Sequence, residues 1–242
     1  MKFIIGILTI LYVTFLSLVV ALSFVFLSNV KERAVEKIEP NTIIAPQSIN
    51  LGKFAKKRAG YILPLKALLG QRYCSTSAVQ YKGKVYTVTN EHCCSVPMPF
   101  GRKVRRVGDT LQTILHISQT HDVCILTSAL KSSPIKLAKA DFEYMDEAII
   151  LGYPRGEDYT PRQGYVLSLN EYTAVQYSWD DVRIRPSHSI SFLTFPGNSG
   201  SPVFNSRGRL VNLLYAGSNP VNSVGITVPL RFIKEALEIA SK

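Results

Sequence analysis

The sequence has few charged residues and few ligands suited to a metal. Charged residues make up 19% of its 242 residues and apolar residues 46%, a balance that excludes an intrinsically disordered chain. His116 and His188 lie in strand-like stretches without the further ligands that a zinc site requires, so no metal is expected. The absence of an internal repeat excludes a solenoid. One globular domain beside an apolar segment is the organisation that remains.

Acidic residues are also scarce. The chain has 17 Asp and Glu against 28 Lys and Arg, which leaves a net charge of +11. Residues 1–58 hold eight of the basic residues and only three acids. Because this excess adjoins an apolar segment, it favours attraction to anionic lipid headgroups over binding of nucleic acid. Nucleic acid is therefore not expected as a partner.

One long stretch lacks charge altogether. Residues 3–29 are uncharged and mostly apolar, and such a helix crosses a hydrocarbon core of roughly 30 Å. We predict a single-pass transmembrane anchor over residues 1–30. A cleaved secretory signal is the alternative, although its apolar region is normally only about 7–15 residues long. Basic residues flank both ends, so charge alone leaves the orientation in the membrane open.

The rest of the chain divides at residue 59. Residues 31–58 contain two prolines and scattered charges without a sustained period, which predicts a linker or stalk. Its closing basic cluster, residues 56–58, favours a solvated or headgroup-binding segment, with cleavage by a basic-specific protease as the alternative. Over residues 59–242, short apolar stretches alternate with turn residues, a pattern typical of an all-β barrel or sandwich. The apolar spacing in residues 230–240 predicts a terminal helix.

Three segments hold the residues of a nucleophilic mechanism. Ser199 lies between two glycines in FPGNSGSPVF, residues 195–204. A serine hydroxyl needs an imidazole to remove its proton, and the imidazole needs an acid to fix its tautomer. His92 lies in YTVTNEHCC, residues 86–94, at the end of a predicted strand, and Asp122 lies in THDVCIL, residues 120–126, ahead of another. The order His, Asp, Ser is a known one, so these are the candidate catalytic residues.

These segments resemble the chymotrypsin-like (trypsin-like) serine protease superfamily, and most closely its HtrA-like trypsin-like peptidase branch. The resemblance continues through AIILGYPRG, residues 148–156, and VGITVPLRFIKEAL, residues 224–237, and covers about residues 59–241. It implies an all-β fold of two six-stranded antiparallel barrels with a C-terminal helix. It also implies a serine endopeptidase that acts on proteins or peptides without a cofactor, and no PDZ domain is expected to follow. The resemblance says nothing of the oligomeric state.

The resemblance assigns roles to residues beside the nucleophile. The backbone N–H groups of Gly197 and Ser199 would form an oxyanion hole, which stabilises the charge that develops on the scissile carbonyl. Asn198 stands where digestive enzymes carry an aspartate that pairs with an amino terminus released by zymogen cleavage. An enzyme that is active without removal of an amino-terminal propeptide is therefore expected.

The resemblance also points to a substrate pocket. Leu193 takes the position where trypsins carry an aspartate, so a preference for Lys or Arg is not expected. Thr194 and Tyr215 are expected to line the pocket with it. We predict a preference for an uncharged, apolar side chain.

The four cysteines leave several pairings open. Cys74, Cys93, Cys94 and Cys124 allow three complete pairings, and spacing alone does not choose among them. The resemblance implies a Cys74–Cys93 bond that brackets His92, and leaves the other two as a second bridge or as buried thiols. A disulfide indicates an oxidising compartment, which favours an extracytoplasmic protease domain.

Two readings compete with the active enzyme. One is a membrane-tethered module that keeps the protease fold without turnover, and the other is a basic domain that binds nucleic acid or lipid. Among the remaining histidines, His121 adjoins Asp122 but is interpreted, like His116 and His188, as a packing or surface residue.

Overall fold

The structure is a computed structural model that describes residues 49–67, 70–95, 103–176, 182–217 and 223–242. The predicted membrane anchor over residues 1–30 and most of the predicted linker lie outside the described residues. No helix within the described ranges is both long and apolar enough to cross a membrane.

Six antiparallel strands close the first barrel, in the order β1-β2-β3-β6-β5-β4. They are β1 (Ile62–Lys66), β2 (Arg72–Tyr81), β3 (Lys84–Thr89), β4 (Val104–Val107), β5 (Thr110–Ser118) and β6 (Val123–Thr127). Val79, Val88 and Ile125 are fully buried, in an apolar cluster that this barrel shares with the rest of the domain. The β-branched residues suit this pleated, buried surface, which explains why the short apolar stretches fold as strands.

Six further antiparallel strands close the second barrel, in the order β10-β11-β12-β9-β8-β7. They are β7 (Glu147–Gly152), β8 (Thr160–Gln176), β9 (Val182–Ile190), β10 (Pro202–Asn205), β11 (Leu210–Gly217) and β12 (Gly225–Val228). The prediction of an all-β fold built on six-stranded antiparallel barrels is confirmed.

Within the described residues, three α-helices accompany the barrels, α1 (Leu51–Lys56), α2 (Glu91–Ser95) and α3 (Leu230–Ala240), together with a short 3-10 helix at Pro154–Gly156. The predicted terminal helix is α3, which begins directly after Pro229 and buries Leu230, Ile233 and Leu237. This spacing places the apolar side chains on one face of the helix, where they join the core of the domain.

Residues 49–58, at the end of the predicted linker, lie in one compact unit with the barrels, Ile49–Lys242. The Asn50 side chain accepts a hydrogen bond from Lys53 N (2.9 Å) and so caps α1. The Arg58 guanidinium lies 3.7 Å from the centre of the Phe54 ring and donates to the carbonyl oxygen of Gly208 (3.2 Å). The end of the predicted linker therefore belongs to the domain. The six residues of α1 are too few to show a helical period in the sequence, and the residues that they contact lie far along the chain. For both reasons the sequence did not predict this helix.

Candidate active site

His92 and Asp122 are brought together at one end of the first barrel. His92 lies in α2, just after β3, and Asp122 lies in the hairpin between β5 and β6 with a φ of 57°. The Asp122 carboxylate lies 2.9 Å (Oδ2) and 3.1 Å (Oδ1) from His92 Nδ1. It also accepts a hydrogen bond from the backbone N of His92 (3.0 Å). These contacts orient the imidazole through its Nδ1 atom.

The Asp122 carboxylate remains ionised although it is fully buried. Burial raises the pKa of this carboxyl, but the hydrogen bond from His92 and the positive charge of Arg185 outweigh it and hold the pKa below its ordinary value. A buried carboxylate of this kind keeps a proton on Nδ1 of the imidazole and stabilises the imidazolium form.

A buried arginine of the second barrel contacts this carboxylate. Arg185, on β9, places Nη1 3.0 Å from Asp122 Oδ2 and Nη2 3.6 Å from Glu91 Oε2. Its Nη2 also donates to the carbonyl oxygen of Gln119 (2.7 Å). Only 2% of its side chain is exposed, so charge and hydrogen-bond partners compensate for the lost hydration.

Glu91, the residue before His92, completes this buried charge cluster. Its carboxylate lies 2.9 Å from Nη1 of Arg183, which shares a face of β9 with Arg185. Sequence reasoning missed all three charged residues. The available signal was a pair of arginines at alternate positions in a strand, which places two cations on the same face.

Ser199 is held against the first barrel through Ser75, on β2. Ser75 N donates to the carbonyl oxygen of Ser199 (2.7 Å), and Ser75 Oγ donates to that of Gly197 (2.9 Å). Ser75 Oγ in turn accepts a hydrogen bond from Tyr153 N (3.0 Å). One small residue of β2 therefore fastens the loop of the candidate nucleophile to the barrel that carries His92.

Two disulfides surround His92. The structure contains a Cys74–Cys93 bond, the pairing implied by the resemblance, and a Cys94–Cys124 bond, which sequence reasoning left open. Cys74 precedes Ser75 and Cys93 follows His92, so the first bond links the two neighbourhoods covalently. Within the described part of the chain, Cys74, His92 and Cys93 are grouped as metal ligands would be, but both sulfurs are bonded and offer no thiolate.

The loop around Ser199 contains two backbone N–H groups of interest, those of Gly197 and Ser199. Gly197 has a φ of +95°, and a side chain there would meet the carbonyl oxygen of Tyr153 at 2.4 Å, so glycine is required. Arg155 N donates to the carbonyl oxygen of Pro196, which holds that peptide in place. Among the described residues, neither Gly197 N nor Ser199 N has an acceptor.

A cavity of about 280 Å³ opens beside Ser199. It is lined by Thr194, Phe195, Pro196, Asn198, Ser199, Leu214, Ala216 and Gly217. The structure therefore places one predicted pocket residue, Thr194, in the lining but not the other two. Leu193 is 50% exposed and lies outside the cavity. Tyr215 is 3% exposed and packs in the core, because side chains alternate along β11.

The remaining histidines make other contacts. The His121 ring stacks on Phe232 with 3.7 Å between centroids, and burial lowers its pKa. His188 Nδ1 lies inside the second barrel, 3.1 Å from Asn212 Nδ2. His116 is a half-buried residue of β5. None of these side chains contacts the Asp122 carboxylate in the described structure.

Comparison with protein families decides the assignment. The model of the trypsin-like peptidase domain matches residues 76–213, which include His92, Asp122 and Ser199. The chain belongs to this family. The trypsin-like peptidase domain match covers most of both barrels, and the resemblance noted in the sequence is confirmed.

Curated relatives of the trypsin-like peptidase chain are longer proteins. It is 27% identical over 140 residues to "Serine protease HtrA-like" of Staphylococcus haemolyticus, which covers 54% of this chain and 22% of the relative. It is 27% identical over 184 residues to "Serine protease Do-like HtrA" of Bacillus subtilis, which covers 69% of this chain and 40% of the relative. The chain thus spans less than half the length of either relative.

Solved structures share the same double-barrel architecture. The active form of the Rv3671c protease of M. tuberculosis aligns with a TM-score of 0.61 at 15% identity, over 77% of this chain and 83% of the other. A serine endoprotease of Yersinia pestis aligns with a TM-score of 0.57 at 15% identity, over 78% of this chain and 66% of the other. These similarities establish the fold of the trypsin-like peptidase domain.

Proposed function

We propose that the protein is a serine endopeptidase with His92, Asp122 and Ser199 as its catalytic triad. The contact between His92 Nδ1 and Asp122 Oδ2, at 2.9 Å, is the observation that carries the proposal. The loop of Ser199 supports it, since Ser75 binds this loop and adjoins the Cys74 end of the bond to Cys93.

The mechanism follows from this arrangement. Ser199 Oγ attacks the scissile carbonyl carbon while His92 Nε2 takes the hydroxyl proton, and Asp122 stabilises the resulting imidazolium. The carbonyl oxygen becomes an oxyanion that accepts hydrogen bonds from the N–H groups of Gly197 and Ser199. His92 then protonates the leaving amine, the C–N bond breaks, and an ester to Ser199 forms. Water, deprotonated by His92, hydrolyses the ester and releases the second product.

The cavity beside Ser199 supports a preference for an uncharged side chain at the residue before the cleaved bond. Leu214, Ala216 and Thr194 are among its lining residues, and none of the described residues that line it is charged. A cation placed there would lose its hydration without gaining a carboxylate partner. Small and medium apolar side chains fit a volume of about 280 Å³.

Activity without zymogen cleavage is part of the proposal. Asn198 is buried and uncharged, so the loop does not depend on an ion pair with a new amino terminus. The N–H groups of Gly197 and Ser199, which have no acceptor among the described residues, support an oxyanion hole that is formed without such cleavage.

We also propose that the enzyme is tethered by one N-terminal transmembrane helix, with its protease domain outside the cytoplasm. The uncharged run of residues 3–29 supports the tether. The two disulfides support an oxidising compartment. Protein or peptide chains in that compartment are the proposed substrates.

Labelling with a fluorophosphonate tests the triad, because the reagent requires an activated serine. The full-length chain is expected to gain one label, and Ser199→Ala and His92→Ala are each expected to abolish it. His116→Ala is the matched control and keeps the label, since His116 contacts neither Asp122 nor the Ser199 loop. Intact mass spectrometry gives the readout. A folded wild-type chain that takes no label would instead support the inactive protease-fold module.

A further inference from the structure

Two arginines of the second barrel flank one aromatic ring at the edge of the candidate active site. The Arg155 guanidinium carbon lies 4.4 Å from the centre of the Phe195 ring, and that of Arg162 lies 4.7 Å from it. Phe195 lines the cavity beside Ser199. Both guanidinium groups therefore contact a residue that lines the cavity beside the proposed nucleophile.

Backbone contacts hold both arginines in position. Arg162 Nη1 donates to the carbonyl oxygen of Leu193 (2.8 Å), in the segment that leads into the Ser199 loop. Arg155 N donates to the carbonyl oxygen of Pro196 in the same loop. The Arg162 guanidinium is therefore bound to the segment before the loop, and the backbone of Arg155 is bound to the loop itself.

The described residues supply no anion to this pair. Neither Arg155 nor Arg162 has a carboxylate within ion-pair distance in the described ranges. Arg162 is half-buried, and its burial together with the charge of Arg155 lowers its pKa. Two like charges beside one ring repel each other, and partial burial weakens their hydration. A carboxylate bound between the two arginines would reduce their repulsion and replace part of their lost hydration.

We propose that Arg155 and Arg162 form a subsite for an acidic side chain of the substrate, close to the cleaved bond. This inference rests on the proposed function and names the class of substrate: peptides with Asp or Glu near an uncharged, apolar residue. Guanidinium groups bind carboxylates through charge-assisted and often paired hydrogen bonds, and Arg162 keeps donors for this purpose beyond the Nη1 that binds Leu193. The subsite lies at the rim of the cavity, which itself takes the uncharged side chain.

The test compares pairs of internally quenched peptides that differ only by Glu or Gln. A cleaved sequence is first found in a peptide library, and Glu and Gln are then exchanged at each of the three positions on either side of the cleaved bond. All peptides have blocked termini, so that only the side chain supplies a carboxylate. At one or two positions we expect kcat/KM to favour Glu about tenfold, a typical value for one charge-assisted contact.

Variants of the pair identify the source of the preference. In Arg162→Gln the Glu preference is expected to fall to about threefold or less, because a charge-assisted contact is lost. Arg162→Lys keeps the charge and is expected to retain part of the preference. Arg209→Gln is the matched control: it removes the same charge from the β10–β11 hairpin, at the opposite end of β10 from Ser199, and keeps the full preference. Equal rates for Glu and Gln at every position would overturn the subsite, as would a preference that survives Arg155→Gln/Arg162→Gln.

Two further measurements separate this proposal from the proposed function. Fluorophosphonate labelling of each arginine variant shows whether Ser199 remains activated. Binding of Glu and Gln peptide pairs to the Ser199→Ala chain, with the parent sequence selected from the library by binding and followed by fluorescence anisotropy, needs no turnover. A Glu preference in binding supports the subsite even if the wild-type chain takes no label, and equal binding by an active enzyme counts against the subsite alone.

Discussion

Arg185 Nη1 lies 3.0 Å from Asp122 Oδ2, although Arg185 belongs to the second barrel and Asp122 to the first. The same guanidinium lies 3.6 Å from the carboxylate of Glu91, the residue before His92. Because each of these charges is buried, each depends on the others for compensation. The charge cluster therefore links β9 of the second barrel to the end of the first barrel. It fixes the position of the proposed acid and base relative to the second barrel.

Replacing Arg185 tests this connection. Arg185→Met leaves the carboxylates of Asp122 and Glu91 without their buried partner, so the free energy of unfolding should fall by about 3–5 kcal/mol. Urea denaturation measures the change. Arg106→Met is the control, because Arg106 forms only a partly exposed pair with Asp109 at 3.7 Å and its loss should cost about 1 kcal/mol or less.

Two further variants check that the effect comes from charge pairing. Arg185→Lys keeps the charge but not the planar fork, so its stability and kcat should lie between those of wild type and Arg185→Met. In a Glu91→Gln background, Arg185→Met should cost less than in the wild type, because the two side chains interact. Strict additivity of the two losses would contradict the proposed cluster.

The two disulfides should differ in their effect on activity more than on stability. They close segments of similar length, 19 and 30 residues, so removing either pair of cysteines should cost about 2–5 kcal/mol. Cys74→Ala/Cys93→Ala also removes the link between His92 and Ser75, and should lower kcat/KM by about tenfold or more. Cys94→Ala/Cys124→Ala is the comparison, assayed well below both melting temperatures. An equal loss of activity in the two variants would argue against a positioning role for the Cys74–Cys93 bond.

Gly152 makes room for Ser201. A side chain at Gly152 would lie 1.9 Å from Ser201 Oγ and 2.9 Å from Ser75 Oγ, so Gly152→Ala should destabilise the fold. We expect a loss of about 1–3 kcal/mol, as for other overpacked sites. Adding Ser201→Gly removes the closer contact and should restore part of this loss, which thermal unfolding will show. Ser201→Gly alone provides the reference.

Substrate preference should respond to Ala216 and not to Tyr215. Ala216→Val adds two methyl groups to the lining of the cavity and should shift kcat/KM toward peptides with Ala rather than Leu before the cleaved bond, by about tenfold. Tyr215→Phe should leave this ratio unchanged, because Tyr215 packs in the core. Peptide assays with both substrates measure the ratios. A changed ratio in Tyr215→Phe would indicate that Tyr215 does contribute to the substrate pocket.

The stability of the fold should depend on the ionisation of Asp122. Its pKa in the folded chain lies below the ordinary 3.8, since the contacts with His92 and Arg185 outweigh the effect of burial. The folded state thus binds this proton less readily than the unfolded state does, so the carboxylate contributes stability above about pH 5. That contribution is lost as the pH falls below 3.8 through the folded pKa.

Urea denaturation between about pH 3 and pH 6 measures this loss. Asp122→Asn should be less stable than wild type at neutral pH but should lose less on acidification, because it has no carboxylate to protonate at this position. Asp158→Asn removes an exposed carboxylate 4.0 Å from Arg72 and should keep the wild-type slope. Parallel slopes for wild type and Asp122→Asn would contradict the assignment.

Local features of the chain are evident from the order of its residues. The alternation of short apolar stretches with turn residues indicates strands, and the apolar spacing of residues 230–240 indicates α3. Glycine at position 197 and the Gly-Asn-Ser-Gly run around Ser199 indicate a tight loop, which the φ of +95° at Gly197 explains. These features depend on residues that are close together along the chain, so the sequence alone is enough to predict them.

The strand pattern, the terminal helix and the three segments of the proposed triad follow from the order of residues alone. The tertiary fold was needed to show that Arg185 contacts both Asp122 and Glu91, that Tyr215 packs in the core, and that Cys94 pairs with Cys124. It also decided that the residues after Ile49 pack on the domain. Each of these contacts joins residues far apart along the chain, and they meet only because two closed barrels bring particular strand faces and loop ends together.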